Sequence, residues 1–446
     1  MSLNKDQYNA SRPVGGISLV IAGAGTGKTR TLVEKVNNII ICGIPPEKTL
    51  ILTFSRKAAD EIAERVRTAI GDGAQGLVSG TFHSYCLSLL REYREAFLTE
   101  EGFSAFPQVV DDELRDQLLT DIIGHSLDQF LGLPIHAIKY LLNNYEKLDS
   151  NNKKKLLGNG IAEMLFEVRK LYRQMKCSMN CIDFEDMIDF SIRLLEKHET
   201  IRNDVVNRFD YILVDEFQDT SENNFRLLKL LLPSISPNLF VVGDDWQSIY
   251  GFRDARVEYT VRMKRYFPNV TLYKLRKNYR SRKEIVSLSN RFIRRNRFRT
   301  RKRIVSSRGR GGRIVSIGVQ SLAEECRTIQ NIVKGEREHA ETIAVLYRNN
   351  WQGNYIRDRL TDSHQHCGNE VVMMTIHSSK GLEFHTVIIA GVMDEILPDR
   401  SSDLEEERRL FYVALTRAKE QLFILYHRNP DDTLPRFALE LGFSDS

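Results

Sequence analysis

The chain has 446 residues, of which 42% are hydrophobic and 28% charged, and its formal net charge is +5. This length exceeds what one compact core usually supports, so we expect roughly two to four domains. No uninterrupted apolar run approaches a membrane span, and the amino terminus lacks the apolar core of a secretory signal. Six cysteines without the pattern of a small disulfide scaffold fit a reducing compartment, which predicts a cytoplasmic globular protein without membrane partners.

The charge is distributed unevenly along the chain. Between Arg262 and Arg313 there are 20 lysines and arginines and one acid, Glu284, so this segment carries a net charge of +19. Because the total is +5, the remainder carries −14. A polyanion-binding strip on an otherwise acidic protein explains this separation, and a solvated segment without a partner is the alternative.

The first predicted element is a buried strand at residues 17–21, followed by a glycine-rich turn and a segment of helical spacing. This order is the context of a phosphate-binding loop. The glycines let successive N–H groups face one point, and the helix N-terminus adds partial positive charge. Lys28 can then reach the β- and γ-phosphates of ATP, and the Thr29 hydroxyl can ligate Mg²⁺. The predicted loop comprises Ala22, Gly23, Ala24, Gly25, Thr26, Gly27, Lys28 and Thr29.

Residues 49–54 predict a second buried strand, 55–70 an amphipathic helix, and 78–84 another strand end. Side chains at the carboxyl ends of parallel strands line the crevice where such sheets bind ligands. Phe54 and His83 are therefore candidates for contact with a substrate, with packing in a core as the alternative.

Two groups of cysteines and histidines are weak candidates for a metal-binding site. Cys177 and Cys181 are not at a standard zinc spacing, and no second pair accompanies them. His364, His366 and Cys367 lack a convincing fourth ligand. We expect no zinc site in either group.

Two more predicted strands end in polar residues. The strand at 211–214 runs into Asp215 and Glu216, an arrangement typical of a Walker B motif. Asp215 would hold Mg²⁺, and Glu216 would orient and deprotonate the attacking water. The strand at 239–242 precedes Gln247, which the pattern puts near the phosphates. The aromatic residues beside Gln247 suit base stacking, with core packing as the alternative; they are Trp246, Tyr250 and Phe252.

The second half of the chain alternates strands and helices and has no phosphate loop of its own. Strands are predicted at 270–275, 312–319, 342–347, 371–376, 386–390 and 421–426, with a helix at 322–334. Repeated strand–helix alternation predicts a second parallel α/β sheet. Such a domain suggests a partner lobe that closes over nucleotide bound to the first.

On these motifs the chain resembles the superfamily 1 DNA helicases of the UvrD/Rep type over nearly its whole length. Residues 275–281 match the family's NYRS motif, 374–384 match motif V and 405–418 match motif VI. Residues 215–219 and 243–247 look closest to helicase IV.

The resemblance implies an α/β fold of two RecA-like parallel-sheet lobes, with a helical insertion in the first lobe and little or no insertion in the second. The first lobe would comprise 1–90 and 181–270, the helical insertion 91–180, and the second lobe 271–446. The family's usual 2B subdomain would be reduced to about 349–369, which leaves duplex engagement and its regulation open. The chain begins almost at Gln7, so we expect that an N-terminal region of a longer protein lies outside it.

The resemblance also implies roles for individual residues. Gln7 would contact adenine, Arg30 and Tyr279 would pack against the base, and Glu383 would meet the ribose. Lys28, Asp215 and Glu216 would act on the phosphates. Arg280 and Arg417 would reach the γ-phosphate as arginine fingers, and Gln247 would couple phosphate state to the nucleic acid. The single-strand track would be lined by Phe54, His83, Tyr250, Phe252, Arg253 and His377.

The implied function is an ATP- and Mg²⁺-dependent translocase on single-stranded DNA and a 3′–5′ helicase. Its substrates would be single strands and duplexes with a single-stranded overhang. The expected backbone and stacking contacts tolerate either sugar, so RNA stays open as a partner. The alternative is an ATP-driven remodeller of a nucleic-acid-bound protein such as RNA polymerase, which would need long added arms that we do not find.

Overall fold

The computed structural model describes residues 2–125, 138, 142, 161–336, 340–360, 371–400, 402–429 and 431–443. These residues form two compact units. The larger comprises 1–79, 209–222 and 234–446, and the smaller comprises 80–208 and 223–233. None of the described helices is both long and apolar enough to cross a bilayer.

The strands alternate with helices along most of the chain. In chain order the strands are β1 (Ile17–Ile21), β2 (Thr49–Thr53), β3 (Val78–Thr81), β4 (Gln108–Val109), β5 (Cys181–Ile182), β6 (Tyr211–Val214), β7 (Leu239–Gly243), β8 (Thr271–Lys274), β9 (Lys277–Asn278), β10 (Val305–Ser306), β11 (Arg313–Val319), β12 (Ile343–Tyr347), β13 (Val371–Thr375), β14 (Phe384–Val392) and β15 (Ala418–His427). The strands predicted from buried apolar runs are confirmed to within a few residues at their ends.

The first sheet has six strands in the order β3-β2-β6-β7-β1-β8. The phosphate-binding loop follows β1, the acids Asp215 and Glu216 follow β6, and Gln247 follows β7. In this sheet β1 lies between β7 and β8, and both of these pairs are parallel. The register places Ile21 beside Gly243 and Val214 beside Val241. The segments that follow β1, β6 and β7 therefore leave the sheet at the same edge, where ligands bind in open α/β sheets.

The strand β8 corrects one expectation from the sequence. We assigned residues 270–275 to the second half of the chain, yet Leu272 pairs with Leu19 of β1 in the six-stranded sheet. The strand completes the first sheet because its register continues that of β1. The second lobe's own sheet therefore begins further along the chain.

A five-stranded sheet in the order β11-β15-β14-β12-β13 follows, and its pairs are parallel. Its central strands are apolar and buried on both faces, as parallel sheets covered by helices require. Thus the predicted α/β class with two parallel sheets is confirmed.

Helices cover both sheets of the larger unit. They are Lys5–Ser11, Lys28–Ile41, Arg56–Ile70, Glu258–Val261, Met263–Tyr266, Lys283–Ile293, Leu322–Glu336, Asn350–Leu360, Leu404–Leu415 and Arg436–Leu441. The helix Arg56–Ile70 illustrates how sequence sets the bounds, since Ser55 accepts a hydrogen bond from Ala58 at its start and Gly71 follows its last residue.

The smaller unit is mostly helical within the described residues. Its helices are Phe82–Glu92, Arg94–Glu101, Asp112–His125, Ile161–Ser178, Phe184–Lys197, Glu199–Val206 and most of Glu222–Leu231. A buried cluster around Ile123 and Leu165 forms one of its cores. This unit contains the described part of the insertion expected at 91–180, whose boundaries stay a prediction. The shortened 2B segment at 349–369 lies partly outside the described residues.

Candidate nucleotide and nucleic-acid sites

The loop after β1 has the backbone geometry of an anion cradle. Gly25 and Gly27 have φ angles of 65° and 82°, a region that side chains with a Cβ rarely adopt. No side chain caps the helix Lys28–Ile41, whose N-cap is Gly27. The N–H groups of the first turn therefore face the loop, where they can bind phosphate.

Lys28 lies next to the acids that follow β6. Its Nζ is 2.8 Å from Oε2 of Glu216. Burial opposes the charge of Lys28, but Glu216, Asp244 and Asp215 outweigh burial and raise its pKa. Lys28 lowers the pKa of Glu216 to about 2 against the effect of burial. At neutral pH the two groups therefore form a partly buried ion pair of opposite charges.

Glu216 also has an unusual backbone. Its φ angle is 50°, which is uncommon for a residue with a side chain and is found preferentially at functional sites. Its carboxylate accepts a second hydrogen bond from Nε2 of Gln218 at 2.6 Å. Two donors therefore hold this carboxylate in one orientation.

Asp215 is a buried acid whose charge is only partly compensated by Lys28. It is 3% exposed, and Oδ1 accepts a hydrogen bond from the backbone N–H of Glu216 at 2.9 Å. Burial and then the charge of Glu216 raise the pKa of Asp215 to about 7. Within the described residues no cationic side chain forms an ion pair with it. A hard divalent cation would supply the missing charge, and Thr29 offers a hydroxyl on the neighbouring helix turn.

The motif at 275–281 is docked directly on the phosphate-binding loop. Asn278 donates from Nδ2 to the carbonyl oxygen of Ala24 at 2.7 Å, and the N–H of Tyr279 donates to the carbonyl of Gly25 at 2.8 Å. A Cβ on Gly25 would lie 2.6 Å from Cβ of Arg280. This close approach explains a glycine at this position beyond its φ angle.

The residues expected to surround the base lie around the same loop. Gln7 donates from Nε2 to the carbonyl of Thr26 at 3.1 Å and is 1% exposed. Asn4 donates from Nδ2 to the hydroxyl of Tyr279 at 2.7 Å. Tyr279 is 39% exposed, so a ring face is available, while Arg30 is half-buried in the first turn of the helix.

The two expected arginine fingers differ in burial and partners. Arg417 is 1% exposed and donates from Nη2 to Oε1 of Gln247 at 3.0 Å. Burial and then the charge of Arg280 lower the pKa of Arg417 to about 9. Arg280 donates from Nε to Oε2 of Glu383 at 2.7 Å. Glu383, expected at the ribose, also lies 2.9 Å from Nζ of Lys419.

Gln247 joins the two halves of this site. Its Nε2 donates to Oδ2 of Asp244 at 2.5 Å while its Oε1 accepts from Arg417. Lys380 donates to the backbone carbonyl of Gln247 at 3.1 Å and to Oδ2 of Asp219 at 2.5 Å. The side chain of Gln247 is therefore bonded to one group from each sheet.

Several of these connecting residues were missed by sequence reasoning. Gln218, Lys380 and Asn278 lie inside motifs that we recognised, yet only their neighbours were assigned roles. Their position within those motifs was the available signal. Gln218, for example, connects the segments after β6 and β7. Its Oε1 accepts a hydrogen bond from the N–H of Asp244 at 2.7 Å, and its Nε2 donates one to Glu216.

Four residues expected in the nucleic-acid track form one cluster. The Phe252 ring lies 5.9 Å from that of Tyr250 and 5.7 Å from that of His377, edge to face. The guanidinium of Arg253 lies 5.5 Å and 5.6 Å from the centroids of Tyr250 and Phe252. Phe252 is 48% exposed. Burial and the charges of nearby cations lower the pKa of His377 to about 4, so its ring is neutral at pH 7.

The two remaining residues expected in the track belong to different units. Phe54 follows β2 in the larger unit and is half-buried. His83 is in the first turn of the helix Phe82–Glu92 in the smaller unit, where its ring lies 5.6 Å from that of Phe184. Their contact with nucleic acid stays a prediction.

Trp246 corrects another expectation. Sequence reasoning grouped it with Tyr250 and Phe252 as a stacking residue, but Trp246 is 0% exposed. Its ring packs edge-on against Tyr412 with centroids 5.6 Å apart, and Nζ of Lys302 lies 4.6 Å above its centroid. Trp246 is therefore a core residue, because its ring is fully shielded from solvent.

His364, His366 and Cys367 lie outside the described residues. Within the described ranges, Cys177 and Cys181 belong to no group of three histidine, cysteine or acidic side chains arranged to hold a metal.

Comparison with known proteins identifies the family. The family model described as the UvrD/REP helicase N-terminal domain matches residues 3–268, and that of the UvrD-like helicase C-terminal domain matches 273–368 and 357–429. The ATP-dependent DNA helicase PcrA of Staphylococcus aureus (strain Mu50 / ATCC 700699) is 30% identical over 369 residues, and that of Staphylococcus epidermidis (strain ATCC 12228 / FDA PCI 1200) is 30% identical over 370.

These matches cover 81% of this chain and 50% of each relative, so the chain spans about half the length of the curated relatives it matches. The particular likeness to helicase IV stays a prediction. The two family models together cover nearly the whole chain. The chain therefore belongs to the UvrD/REP helicase family.

Proposed function

We propose that this chain is an ATP-dependent DNA helicase that moves along single-stranded DNA from 3′ to 5′. One observation carries the proposal: Arg417, which lies between the helix Leu404–Leu415 and β15, bonds Gln247, which follows β7 of the other sheet, at 3.0 Å. A bond between residues of the two sheets at the nucleotide loop fits an ATPase whose site is completed by both halves. The name of PcrA as an ATP-dependent DNA helicase supports the same assignment.

The phosphates of ATP would be held by the loop from Ala22 to Thr29. The N–H groups at the start of the helix Lys28–Ile41 and the Lys28 side chain offer a set of donors for phosphate oxygens. Gln7 and Tyr279 lie at the same loop and offer an amide and an aromatic ring for adenine. Arg30 and Glu383 complete the proposed nucleotide-binding set.

The residues fit a Mg²⁺ site. Asp215 is buried with its pKa raised to about 7, and a cation would favour its ionised form. Thr29 and Asp215 would hold the ion, which when bound would neutralise charge on the phosphate oxygens. Glu216, whose pKa is lowered to about 2, is ionised at neutral pH and would orient the attacking water and accept its proton.

Arg280 and Arg417 would stabilise charge that develops on the γ-phosphate. An arginine finger is typically worth about 10³–10⁵ in rate, so hydrolysis would depend on the arrangement of both sheets. Gln247, bonded to Arg417, would respond to that arrangement. Lys380 then connects the backbone of Gln247 to the Tyr250 ring, whose centroid lies 4.5 Å from its Nζ.

The aromatic cluster supports contact with single-stranded nucleic acid. Phe252 offers an exposed ring beside Arg253, and base stacking on such rings is worth about 1–3 kcal/mol per base. Tyr250 and His377 would support Phe252 from its edges. Phe54 and His83 are retained as further proposed contacts, and the segment boundaries at 90 and 180 as proposed domain limits.

The test is ATP hydrolysis and strand displacement by the purified chain. Hydrolysis would be measured alone and with single-stranded DNA, single-stranded RNA, and duplexes carrying a 3′ or a 5′ overhang. The proposal expects stimulation by single-stranded DNA and displacement on the 3′ overhang. If single-stranded DNA stimulates hydrolysis but neither duplex is unwound, the protein is a translocase and not a helicase. Strand displacement only on the duplex with a 5′ overhang would refute the 3′ to 5′ polarity.

A further inference from the structure

Seven cationic side chains line one open depression of about 400 Å³ in the larger unit. They belong to the end of β8 and to the segment that follows the helix Lys283–Ile293. The lining residues are Lys274, Arg276, Arg294, Arg299, Arg301, Lys302 and Arg303. No carboxylate and no aromatic ring is among these lining residues.

In the segment from residue 300 to 304, every second side chain is buried against the protein. Thr300, Lys302 and Ile304 are buried, whereas Arg301 and Arg303 between them are exposed. This period of two is that of an extended chain with one face packed and one face in solvent. Two outward arginines are thereby displayed on a fixed backbone.

The buried side chains make strong contacts. Lys302 donates from Nζ to Oδ1 of Asp244 at 2.5 Å and to Oδ1 of Asp245 at 2.7 Å. Thr300 donates from its N–H and its hydroxyl to Asp245 at 2.7 Å and 2.6 Å. Ile304 packs over Gly23 of the phosphate loop, where an added Cβ would lie 2.4 Å from Cδ1. These contacts of Thr300, Lys302 and Ile304 fix the segment, and the side chains of Arg301 and Arg303 take no part in them.

Most of the outward charges form no ion pair with a described acid. Lys302 is neutralised by its two aspartates, and Arg276 lies 3.5 Å from Asp6. For the other five cations, no ion pair with an acid occurs in the part of the chain that the structure describes. Burial and then the charges of Arg294 and Arg301, opposed by Asp245, lower the pKa of Arg299.

Other basic residues of the Arg262–Arg313 strip behave differently. Arg282 lies 2.6 Å from Glu420, Arg308 pairs with the same acid, and Arg313 lies 3.2 Å from Glu336. These charges serve internal contacts. Five cations of the strip that form no ion pair among the described residues therefore lie together at the depression.

We propose that this depression binds the phosphodiester backbone of a nucleic acid, at a site additional to the aromatic cluster around Phe252. Like charges held together on a fixed backbone repel one another, and an anion at the depression removes that cost. Charge spread over several side chains suits a row of phosphates better than one. Without aromatic rings in the lining, recognition is of the backbone and independent of sequence. The inference rests on the proposed function for the identity of the polyanion.

The test uses the salt dependence of binding, which counts phosphate contacts. Each phosphate neutralised contributes about 0.7 to the slope of log affinity against log salt for a single strand and about 0.9 for a duplex. The variant Arg294→Gln, Arg301→Gln, Arg303→Gln removes three exposed charges. We expect its slope to be shallower than that of the wild type by about 2 with single-stranded DNA, or by about 2.7 with blunt duplex DNA. If the slope changes only with single-stranded DNA, the depression binds a single strand; if it changes only with duplex DNA, the depression binds a duplex.

The matched control is Arg327→Gln, Lys334→Gln, Arg357→Gln, which removes three exposed charges from helices of the second sheet. Its slope should equal that of the wild type with both DNAs. Thermal unfolding checks that both variants are folded, and single substitutions at Arg294, Arg301 and Arg303 replace the triple variant if it is not. Each should reduce the slope by about 0.7–0.9.

The outcomes separate this inference from the proposed function. A wild type that binds neither DNA overturns both. A wild type that binds with a steep slope, combined with an unchanged slope in the triple variant, overturns the inference alone. The same holds if the triple variant loses affinity for inorganic tripolyphosphate but keeps the wild-type slope with both DNAs, because the depression would then be a small-anion site.

Discussion

Arg417 and Gln247 are 170 residues apart in the chain, and Nη2 of one lies 3.0 Å from Oε1 of the other. The bond is fully buried and bridges the segment after β7 and the segment before β15. Gln247 also donates a hydrogen bond to Asp244, and Asp244 accepts another from Lys302. A chain of buried hydrogen bonds therefore runs from the second sheet to the base of the basic depression.

This bond predicts that Arg417 and Gln247 act as one unit. We expect Arg417→Ala and Gln247→Ala each to reduce DNA-stimulated hydrolysis by about 10²–10⁴, and the double variant to be no slower than the slower single one, because groups that act together are not additive. The measurement is the steady-state hydrolysis rate of all four proteins. Arg408→Ala is the control, since this arginine of the helix that precedes Arg417 pairs with Glu440 at 2.8 Å. Fully additive losses would refute the coupling.

The ion pair of Lys28 with Glu216 predicts a separation of hydrolysis from DNA binding. Lys28→Ala removes the cation of the phosphate loop and leaves Glu216 without its charged partner, so hydrolysis should fall by about three orders of magnitude or more. DNA binding at low salt should remain, since the basic surface lies in other segments. Both are measured on one preparation, by phosphate release and fluorescence anisotropy. Loss of both together would contradict separate sites.

The raised pKa of Asp215 predicts a pH dependence of stability in the absence of Mg²⁺. The folded protein holds this proton up to about pH 7, whereas the unfolded chain releases it near the ordinary value of 3.8. Because the folded state binds more protons in this interval, stability falls as pH rises. Relative to Asp215→Asn, the wild type should lose roughly 2–3 kcal/mol between pH 5 and pH 7 and no more above that.

Denaturant unfolding of both proteins in a chelator, from pH 5 to pH 8.5, checks this expectation. Added Mg²⁺ should stabilise the wild type at pH 8 and leave Asp215→Asn nearly unchanged, because only the carboxylate binds the ion well. Parallel stability curves for the two proteins would show that Asp215 does not titrate in this range.

The exposed ring of Phe252 predicts loss of coupling without loss of the nucleotide site. Phe252→Ala should weaken single-strand binding by about 1–3 kcal/mol and lower the number of base pairs separated per ATP hydrolysed. Phe166→Ala is the control, because Phe166 is also exposed, at 65%, and lies on a helix of the smaller unit. Unchanged unwinding per ATP in Phe252→Ala would refute the stacking role.

The contact between the phosphate loop and the NYRS motif predicts that Gly25 cannot be replaced. Gly25→Ala combines a φ of 65° with a Cβ that would lie 2.6 Å from Cβ of Arg280, so we expect a stability loss of roughly 1–3 kcal/mol and weaker ATP binding. Gly43→Ala is the control, since its φ is 94° but nothing lies within 4 Å of the added Cβ. Equal losses in both variants would show that backbone strain alone, and not the contact, makes Gly25 necessary.

Much of this protein could be predicted from local sequence. Apolar runs, glycines and capping residues act over a few neighbours, so β1, β6 and β7 and the loop from Ala22 to Thr29 were predicted within a residue or two. The acids Asp215 and Glu216 follow directly from the strand before them. The cluster of Tyr250, Phe252 and Arg253 was also visible because its members are adjacent in the chain.

Tertiary structure decided which of several similar residues are covered and which charges are already paired. Trp246 and Phe252 are both aromatic and six residues apart, yet Tyr412 and Lys302 cover the first and leave the second exposed. Lys302 and Arg303 are neighbours with the same charge, and only Lys302 is neutralised, by aspartates that follow β7. Burial and pairing depend on groups distant in the chain, and no local pattern encodes the identity of a distant neighbour.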